Sequence, residues 1–580
     1  MSDTSDERAL ARRLAQLAAD GLAELLHVRG VSAGAAWRDC FDAAEALLEA
    51  SSIDQALAVL PRPQLQALAE ATADDAPVDA ADQPALDAMA LLHADGRPLA
   101  AVAQRLVAVL DERPDAVAAV PAVGDPAPAD DDVTAACAER ATSAVRALTD
   151  LVAHAADQPV PVTGAGAVTA VERRALIEHR IVADGAELDD LLSLASAAGL
   201  LTLADRAWRL TETGAAWLPG AVVGRWAAVA TGWRNALPAV LRTRTGGYLP
   251  PAAWAAVVPL DPQWPALVST LQEWAARWAL IAADGSEPAW AASLRRGDAP
   301  DTAALTALLP REIDRIYLQA DLTAIAPGPL RSALDLRLRT MALRESQAQA
   351  STYRFTADTL AAAVAGGEDA ASVRAFLSDL SLTGIPQPLD YLIEQAAARH
   401  GLVRVGTDAT TGRTRVVSAD AHLLRTIAVD QSLRSVGLAR DGDALVSRVS
   451  RDAVFWSLAD ARYPVVAVDA AGLPEPLRRG RAPHPTAPES DGFTALLPLA
   501  VQLLANSAED ADAAWLEREL EQAVRTRSEI DVTVRMPDGS ERLFTMEATG
   551  LGGGRLRGRD RAADIERTVP VASIVGVKAR

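Results

Sequence analysis

The residue pattern predicts a mainly α protein with α+β parts, and three observations carry that prediction. Apolar residues recur at three-to-four spacing through the N-terminal third, the signature of helices that bury one face. From Arg311 onward, short β-branched runs alternate with helical segments. Beyond Ile530 the pattern becomes strand, turn, strand. The expected parts, in order, are an acidic helical region at 1–120, linkers with a connecting helix at 121–166, and a Trp-rich helical unit at 167–310. An α+β module at 311–470, a linker at 471–492 and a helix with a small β-barrel-like domain at 493–580 complete the chain.

In the first part, Ala9–Leu26, Ala35–Ser51, Ile53–Ala71, Ala85–Leu92 and Leu99–Leu110 each read as a helix. The Pro/Asp-rich run from Pro121 to Asp132 reads as a linker by composition. A helix is expected over 133–155 and a loop over Gln158–Gly166. Then come a helix at Val168–His179, a turn at Ala183–Ala186, a helix at Glu187–Ala198 stopped by Gly199, and a strand-like hairpin at Leu200–Leu210. Two helices followed by a hairpin form a winged-helix-like unit. Nine of the twelve tryptophans fall between Trp208 and Trp290; Trp226 and Trp233 share one helix face, and Trp274 and Trp278 another. Buried packing anchors are the expected role.

Farther on, Ile313–Ala326 reads as strand, Gly401–Ser418 as a hairpin, and Ser435–Val468 as strand, hairpin, helix and strand. After the linker Gly472–Gly492, helices are expected at Phe493–Asn506 and Asp510–Thr526. Strands follow at Ile530–Met536, Ser540–Glu547, Leu551–Gly558 and Thr568–Val577.

Composition excludes several chemistries. The chain has 580 residues, a net charge of -21, and a single lysine, Lys578, among its 56 basic residues. A P-loop, a protein-kinase strand lysine and a Schiff base each need a lysine in a defined setting, so no ATPase motor, kinase or pyridoxal enzyme is expected. Cys40 and Cys137 are far apart and the seven histidines are scattered, which predicts no disulfide framework and no zinc site. Neither a GxSxG elbow nor an HExxH pair occurs, and the carboxylate pairs Asp189-Asp190 and Asp130–Asp132 read as solvated. No catalytic residue, metal or cofactor is therefore expected. The acidic opening carries no basic-then-apolar leader and no apolar run is long enough to span a bilayer; a cytoplasmic protein that avoids membranes is expected.

Nucleic-acid contact is a secondary expectation. Residues 1–160 hold 11 Arg against 27 Asp+Glu, so most of the negative charge lies there. The second helix of the winged-helix-like unit, the usual DNA reader, carries Glu187, Asp189 and Asp190 and no base, the wrong sign for a phosphate-lined groove. A glycine-rich turn from Gly550 holds Arg555, Arg557, Arg559 and Arg561, and these four are the candidate nucleic-acid contacts. The segment Pro159–Thr169 contains Gly164 and Gly166, but two prolines and Thr169 in place of a third glycine make it a loop before a helix, not a dinucleotide site.

One stretch resembles a known family. Ile316-Tyr-Leu-Gln-Ala-Asp-Leu-Thr-Ala-Ile-Ala-Pro-Gly-Pro-Leu330, Tyr353-Arg-Phe-Thr-Ala-Asp-Thr-Leu360 and the block from Ile385-Pro-Gln-Pro-Leu to Arg404 resemble the N-terminal domain of XPB-type DNA helicases. The overall arrangement is similar to actinobacterial helicase-associated domain proteins that carry this module without a motor. The tail from Trp515 resembles a WYL-type domain but lacks the Trp-Tyr-Leu signature. The resemblance implies a non-enzymatic accessory protein of DNA repair or transcription that contacts an XPB-like helicase, with DNA the weaker partner. Its motif positions Tyr317, Gln319, Asp321, Tyr353, Phe355, Pro386 and Pro388 would be structural or partner-facing. The alternative is a winged-helix/WYL-like transcriptional regulator that binds DNA.

Overall fold

The computed structural model describes residues 6–579 except 348–349, 400–401, 409–410, 470–471, 473–474, 476, 478–491, 508–515, 517–519, 522, 526, 537–538 and 561–564. It divides into two compact units. One comprises Met1–Val123, Ala253–Val268 and Thr486–Arg580; the other comprises Gly124–Ala252 and Ser269–Pro485.

The first unit begins with short helices, more finely broken than the apolar spacing suggests. In place of Ala9–Leu26 there are Asp6–Gln16 and Ala19–Val28, separated by the extended Ala18. The stretches 35–51 and 53–71 become Cys40–Leu48, Ala50–Ala58 and Arg62–Asp74. Extended Glu49 and Pro61 set those breaks, and Pro61 cannot donate to a preceding turn. Arg29, buried among these helix ends, donates to the Met89 carbonyl at 2.9 Å, the Leu47 carbonyl at 2.5 Å and Ser52 Oγ at 2.8 Å. Burial pulls its guanidinium down to about 10. The helix Leu497–Ser507, from the far end of the chain, places Leu499, Ala500 and Leu503 in the same core as Leu10, Leu22 and Leu47. Asn506 donates to the Arg38 carbonyl at 2.7 Å.

The tail of this unit is an antiparallel sheet of β13 (Glu529–Arg535), β14 (Glu541–Gly552), β15 (Arg555–Asp560), β16 (Ile565–Pro570) and β17 (Ile574–Ala579), the labels following chain order. The strand order is β16-β15-β14-β13-β17. The order is open, with β16 and β17 at its edges, where a barrel-like closure was expected. The expected strands Leu551–Gly558 and Thr568–Val577 are each divided. Gly553 and Gly554, at φ 60° and 70°, make a two-residue hairpin between β14 and β15, the conformation a type I′ turn requires. Most of the helix expected at Asp510–Thr526 and the turn at Pro537–Asp538 lie outside the described residues.

The second unit is organised on the helix Asp131–Asp157, whose N-cap Asp130 accepts from the Val133 N–H at 2.8 Å. It buries eleven residues, including Asp150. Helices Ala170–Glu178 and Gly185–Ala197 lie in the chain between β1 (Val160–Pro161) and the strands β2 (Leu201–Ala204) and β3 (Ala207–Leu210), and the three strands pair in order β1-β3-β2. Trp226, Trp233 and Trp278 serve as buried packing anchors, whereas Trp274 is half-buried. Trp226 Nε1 donates to the Trp278 carbonyl at 2.8 Å and Trp278 Nε1 returns a bond to the Trp226 carbonyl at 3.0 Å, both side chains fully buried. Asp190 is not solvated as expected: it accepts from Trp274 Nε1 at 2.9 Å and Arg277 Nε at 2.8 Å.

Among the described residues, a hairpin turn that leads into a helix occurs four times. In the first, His93 N–H donates to the Arg97 carbonyl and Gly96 N–H to the His93 carbonyl, with Gly96 at φ 83°. The same pair of bonds joins Thr163 with Ala167 and Gly166, Thr243 with Gly247 and Gly246, and Ala282 with Ser286 and Gly285. Those glycines lie at φ 84°, 83° and 81°. Antiparallel bridges Leu92–Pro98, Val162–Val168 and Arg242–Tyr248 flank the first three. Each turn leads into a helix: Ala100–Glu112, Ala170–Glu178, the 3-10 turn Pro251–Ala256, and Ala289–Arg296. The glycine region at 164–166 is thus one copy of a structural repeat.

Two sheets follow. β4 (Tyr317–Leu318), β5 (Thr323–Ala326), β6 (Leu343–Gln347) and β7 (Ser351–Arg354) pair in order β4-β5-β7-β6. Ala324, Ala326, Tyr353 and Phe355 face a core shared with Leu338, Phe376, Leu380 and Leu389. β8 (Val403–Thr407), β9 (Thr414–Ser418), β10 (Ala439–Asp441), β11 (Ala444–Ser447) and β12 (Val465–Ala467) form the second sheet, β10-β11-β9-β8-β12, with β12 parallel to β8.

Candidate functional site

The motif positions in the first of these two sheets divide by location. Gln319 and Asp321 build the β4–β5 turn. Asp321 Oδ1 accepts from the Thr323 hydroxyl at 2.5 Å and its N–H at 3.1 Å, and Gln319 Oε1 accepts from the same hydroxyl at 3.0 Å. The Thr323 hydroxyl holds the Asp321 carboxyl below its usual range. Leu322, at φ 66°, completes the turn. Tyr353 and Phe355 are core residues at 1% exposure. Burial, with the Asp335 carboxylate that accepts its hydroxyl, raises the Tyr353 phenol well above its usual range. Pro386 supplies the carbonyl that opens the helix Gln387–Arg399, and Pro388 sits in its first turn, where proline loses no helical bond. Six of the seven therefore shape the module.

Gln319, Asp321 and Pro388 are exposed within turns and a helix start, and Tyr317 is the aromatic motif position that faces out from a strand. Its neighbours Ile316 and Leu318 are buried, while Tyr317 is 43% exposed. Residues 381–383 run beside it: Leu382 N–H donates to the Ile316 carbonyl at 2.9 Å and Leu318 N–H to Thr383 Oγ1 at 3.0 Å. Leu382 is 56% exposed. Ile325 is Tyr317's cross-strand partner on the other side and is half-buried, so an apolar row crosses the solvent face of this sheet.

Beneath the module, Asp150 accepts from Arg339 at 2.8 Å and from Arg344, with Asp335 within 3.7–3.8 Å of both guanidiniums. Arg225, itself buried, donates to Thr149 at 2.5 Å and Ser332 at 2.6 Å, and burial lowers it to about 10. This network fixes helix Ser332–Arg339 and strand β6 to the helix Asp131–Asp157. A cleft of about 510 Å³ opens between Arg315, Arg331, Arg337, Leu334, Phe376 and Asp379. Its charges are largely spent. Arg331 pairs with Asp314 at 2.9 Å, and Arg337 pairs with Glu368 at 2.8 Å while lying 4.4 Å over the Phe376 ring. Arg315 donates to the Asp379 carbonyl.

In the C-terminal sheet, Arg555, Arg557 and Arg559 alternate on β15 and are exposed, whereas Leu556 and Gly558 face the core. Arg559 stands directly between Glu547 and Glu566, while Arg557 stands between Gly550 and Thr568 and Arg555 between Gly552 and Pro570. Arg561 lies outside the described residues. Among the described residues no group of three His, Cys, Asp or Glu could hold a metal, and no helix is long and apolar enough to cross a membrane.

A family model described as "Helicase conserved C-terminal domain" matches residues 316–441. The matched stretch holds Tyr317, the Asp335–Tyr353 contact and both sheets up to β10; the second sheet continues past it through β11 and β12. The match supports a helicase-associated domain in this chain and a helicase-related function. No curated protein matches the chain.

Proposed function

We propose that this protein is a non-catalytic, cytoplasmic accessory factor of DNA repair or transcription that partners an XPB-like DNA helicase through protein–protein contacts. The observation that carries the proposal is a helicase domain match at 316–441 in a chain whose one lysine is Lys578: a helicase-type module without the lysine a P-loop motor requires. Tyr317 and Leu382 form the docking row. An exposed aromatic beside an exposed leucine on a rigid sheet has the character of an interface anchor.

The alternative is a winged-helix/WYL-like regulator that reads DNA. It has less support, because Asp190 and Glu187 on the helix Gly185–Ala197 engage Arg277 and that face is acidic.

The test uses the full chain and a purified XPB-type helicase, with pull-down and unwinding rates as readouts. Association and a changed rate are expected, with binding weakened about tenfold or more by Tyr317→Ala with Leu382→Asp, the scale of an interface hot spot. No association and no change of rate, or ATP hydrolysis by the chain alone, would overturn the proposal.

A further inference from the structure

Comparison of the four hairpin turns isolates what the turn itself needs. A glycine at positive φ is common to all: Gly96, Gly166, Gly246 and Gly285. Two positions before it stand Ala94, Gly164, Arg244 and Ala283; four before it stand Leu92, Val162, Arg242 and Ile281. Three copies therefore fold with small or apolar residues where the third copy carries arginines. Neither Arg242 nor Arg244 is required by the backbone geometry, and both are exposed.

The third turn is also held against a second basic segment. Tyr248 N–H donates to the Arg295 carbonyl at 3.0 Å, and Thr245 Oγ1 donates to the Arg296 carbonyl at 3.1 Å. The approach is so close that a Cβ on Gly247 would lie 1.9 Å from the Arg295 carbonyl oxygen, and one on Gly297 would lie 2.2 Å from the Thr245 oxygen. The turn is therefore locked to the C-terminal end of the helix Ala289–Arg296, where Arg296 is exposed. Arg234 reaches the same end, donating to the Asp298 carbonyl at 3.0 Å. None of Arg234, Arg242, Arg244 and Arg296 is in ion-pairing distance of a carboxylate among the described residues. Arg295, by contrast, is buried between Glu287 and Asp125. The Thr243 and Thr245 hydroxyls lie 2.9 Å apart within the turn. Asp298 is the acid closest in sequence, and only its main chain takes part.

We propose that the Arg242–Gly247 turn, with Arg234 and Arg296, is a contact surface for the phosphate backbone of DNA. Guanidiniums without carboxylate partners, gathered where the turn is hydrogen-bonded to the helix end, are free to neutralise phosphates. The Thr243 and Thr245 hydroxyls are used within the turn and on the Arg296 carbonyl, so the guanidiniums supply the contact, of the kind that positions a backbone without reading bases. The surface is separate from the Tyr317–Leu382 row and needs no helicase. The acidic reader helix does not contribute.

The experiment measures binding of the full chain to a labelled DNA duplex across a salt series, with no helicase present. Arg242→Val with Arg244→Ala installs the residues that Val162 and Ala94 already supply in equivalent turns, so thermal unfolding should be unchanged. Affinity at low salt should fall about tenfold or more, and the slope of log affinity against log salt should shrink by about 1.8, the loss expected for two phosphate contacts. Arg296→Gln is an independent second variant that should weaken binding in the same direction. Unchanged binding in both variants overturns the proposal, as does a loss confined to Arg555→Ala with Arg557→Ala. Equal competition by polyglutamate also overturns it, since the surface would then select acidic polypeptide.

Discussion

At the scale of single residues, the most consequential side chain is Asp150. It is 6% exposed and neutralises Arg339 and Arg344, which are 23% and 14% exposed. Removing one member of such a group leaves uncompensated charge in a low-dielectric setting, a cost of about 3–5 kcal/mol when fully buried and less here because water reaches the arginines. Asp150→Ala should lower the stability of the second unit by about 2–4 kcal/mol in urea, and Asp150→Asn, which keeps one acceptor, should cost less. An equal loss in both would mean that packing, not charge, holds the contact. Little of this was legible in the sequence: Asp150 is one acid in an acidic third, and its partners lie about 190 residues away. Asp190 was misjudged for the same reason, because its neighbour Asp189 is exposed and no local pattern marks Trp274 and Arg277 as its partners.

At the scale of elements, the helix Asp6–Gln16 is tied to the first hairpin turn. Asp6 lies 3.3 Å from His93 and accepts from the Ala101 N–H at 2.7 Å. The hydrogen bond to Asp6 raises the His93 pKa above 6.5. The Asp6 carboxyl, despite the opposing pull of burial, is lowered below 3.8 by His93 and by backbone N–H groups. A raised histidine stabilises the fold fully below its unfolded pKa and ceases to as pH rises through the folded value. A lowered carboxyl contributes above its unfolded pKa and is lost in acid. The pair should therefore stabilise the first unit most between about pH 4 and 6.5 and weaken above that range. Urea midpoints of the wild type and His93→Gln at mildly acidic and mildly alkaline pH will check this. The variant should lose the alkaline decline, and an unchanged pH dependence would assign it elsewhere. Most helices were legible from apolar spacing, but their breaks at Ala18, Glu49 and Pro61 were not, since amphipathic periodicity continues across a change of axis. The hairpin repeat left a readable trace in the four glycines at turn positions, each followed within a few residues by a helix.

At the scale of the molecule, the first unit gathers its core from distant parts of the chain. Leu503, fully buried, shares that core with Leu10 and Leu22. Leu503→Ala should therefore destabilise the N-terminal helical region by about 2–5 kcal/mol, even though periodicity alone assigns residues 493–506 to the tail. Hydrogen exchange of helices 6–16 and 19–28 is the direct measurement. Protection unchanged from the wild type there, with loss confined to β13–β17, would return that helix to the tail. The helicase match covers 126 of the 580 residues, so the larger part of the molecule owes its form to helical and β parts outside it. Both surfaces argued above, the Tyr317–Leu382 row and the Arg242–Gly247 turn, lie in the second unit.

By itself, the order of residues determined the α and α+β character, the buried role of Trp226, Trp233 and Trp278, the single lysine at Lys578, and the location of the helicase-type stretch. These are local or countable properties, set by periodicity and by residue type. Only the tertiary structure decided which motif residues face solvent, which acids are already neutralised, where the helix Leu497–Ser507 is buried, and that the C-terminal strands stay open. Each of those depends on contacts between segments far apart in the chain, and the free energy of such contacts leaves no pattern in either segment alone.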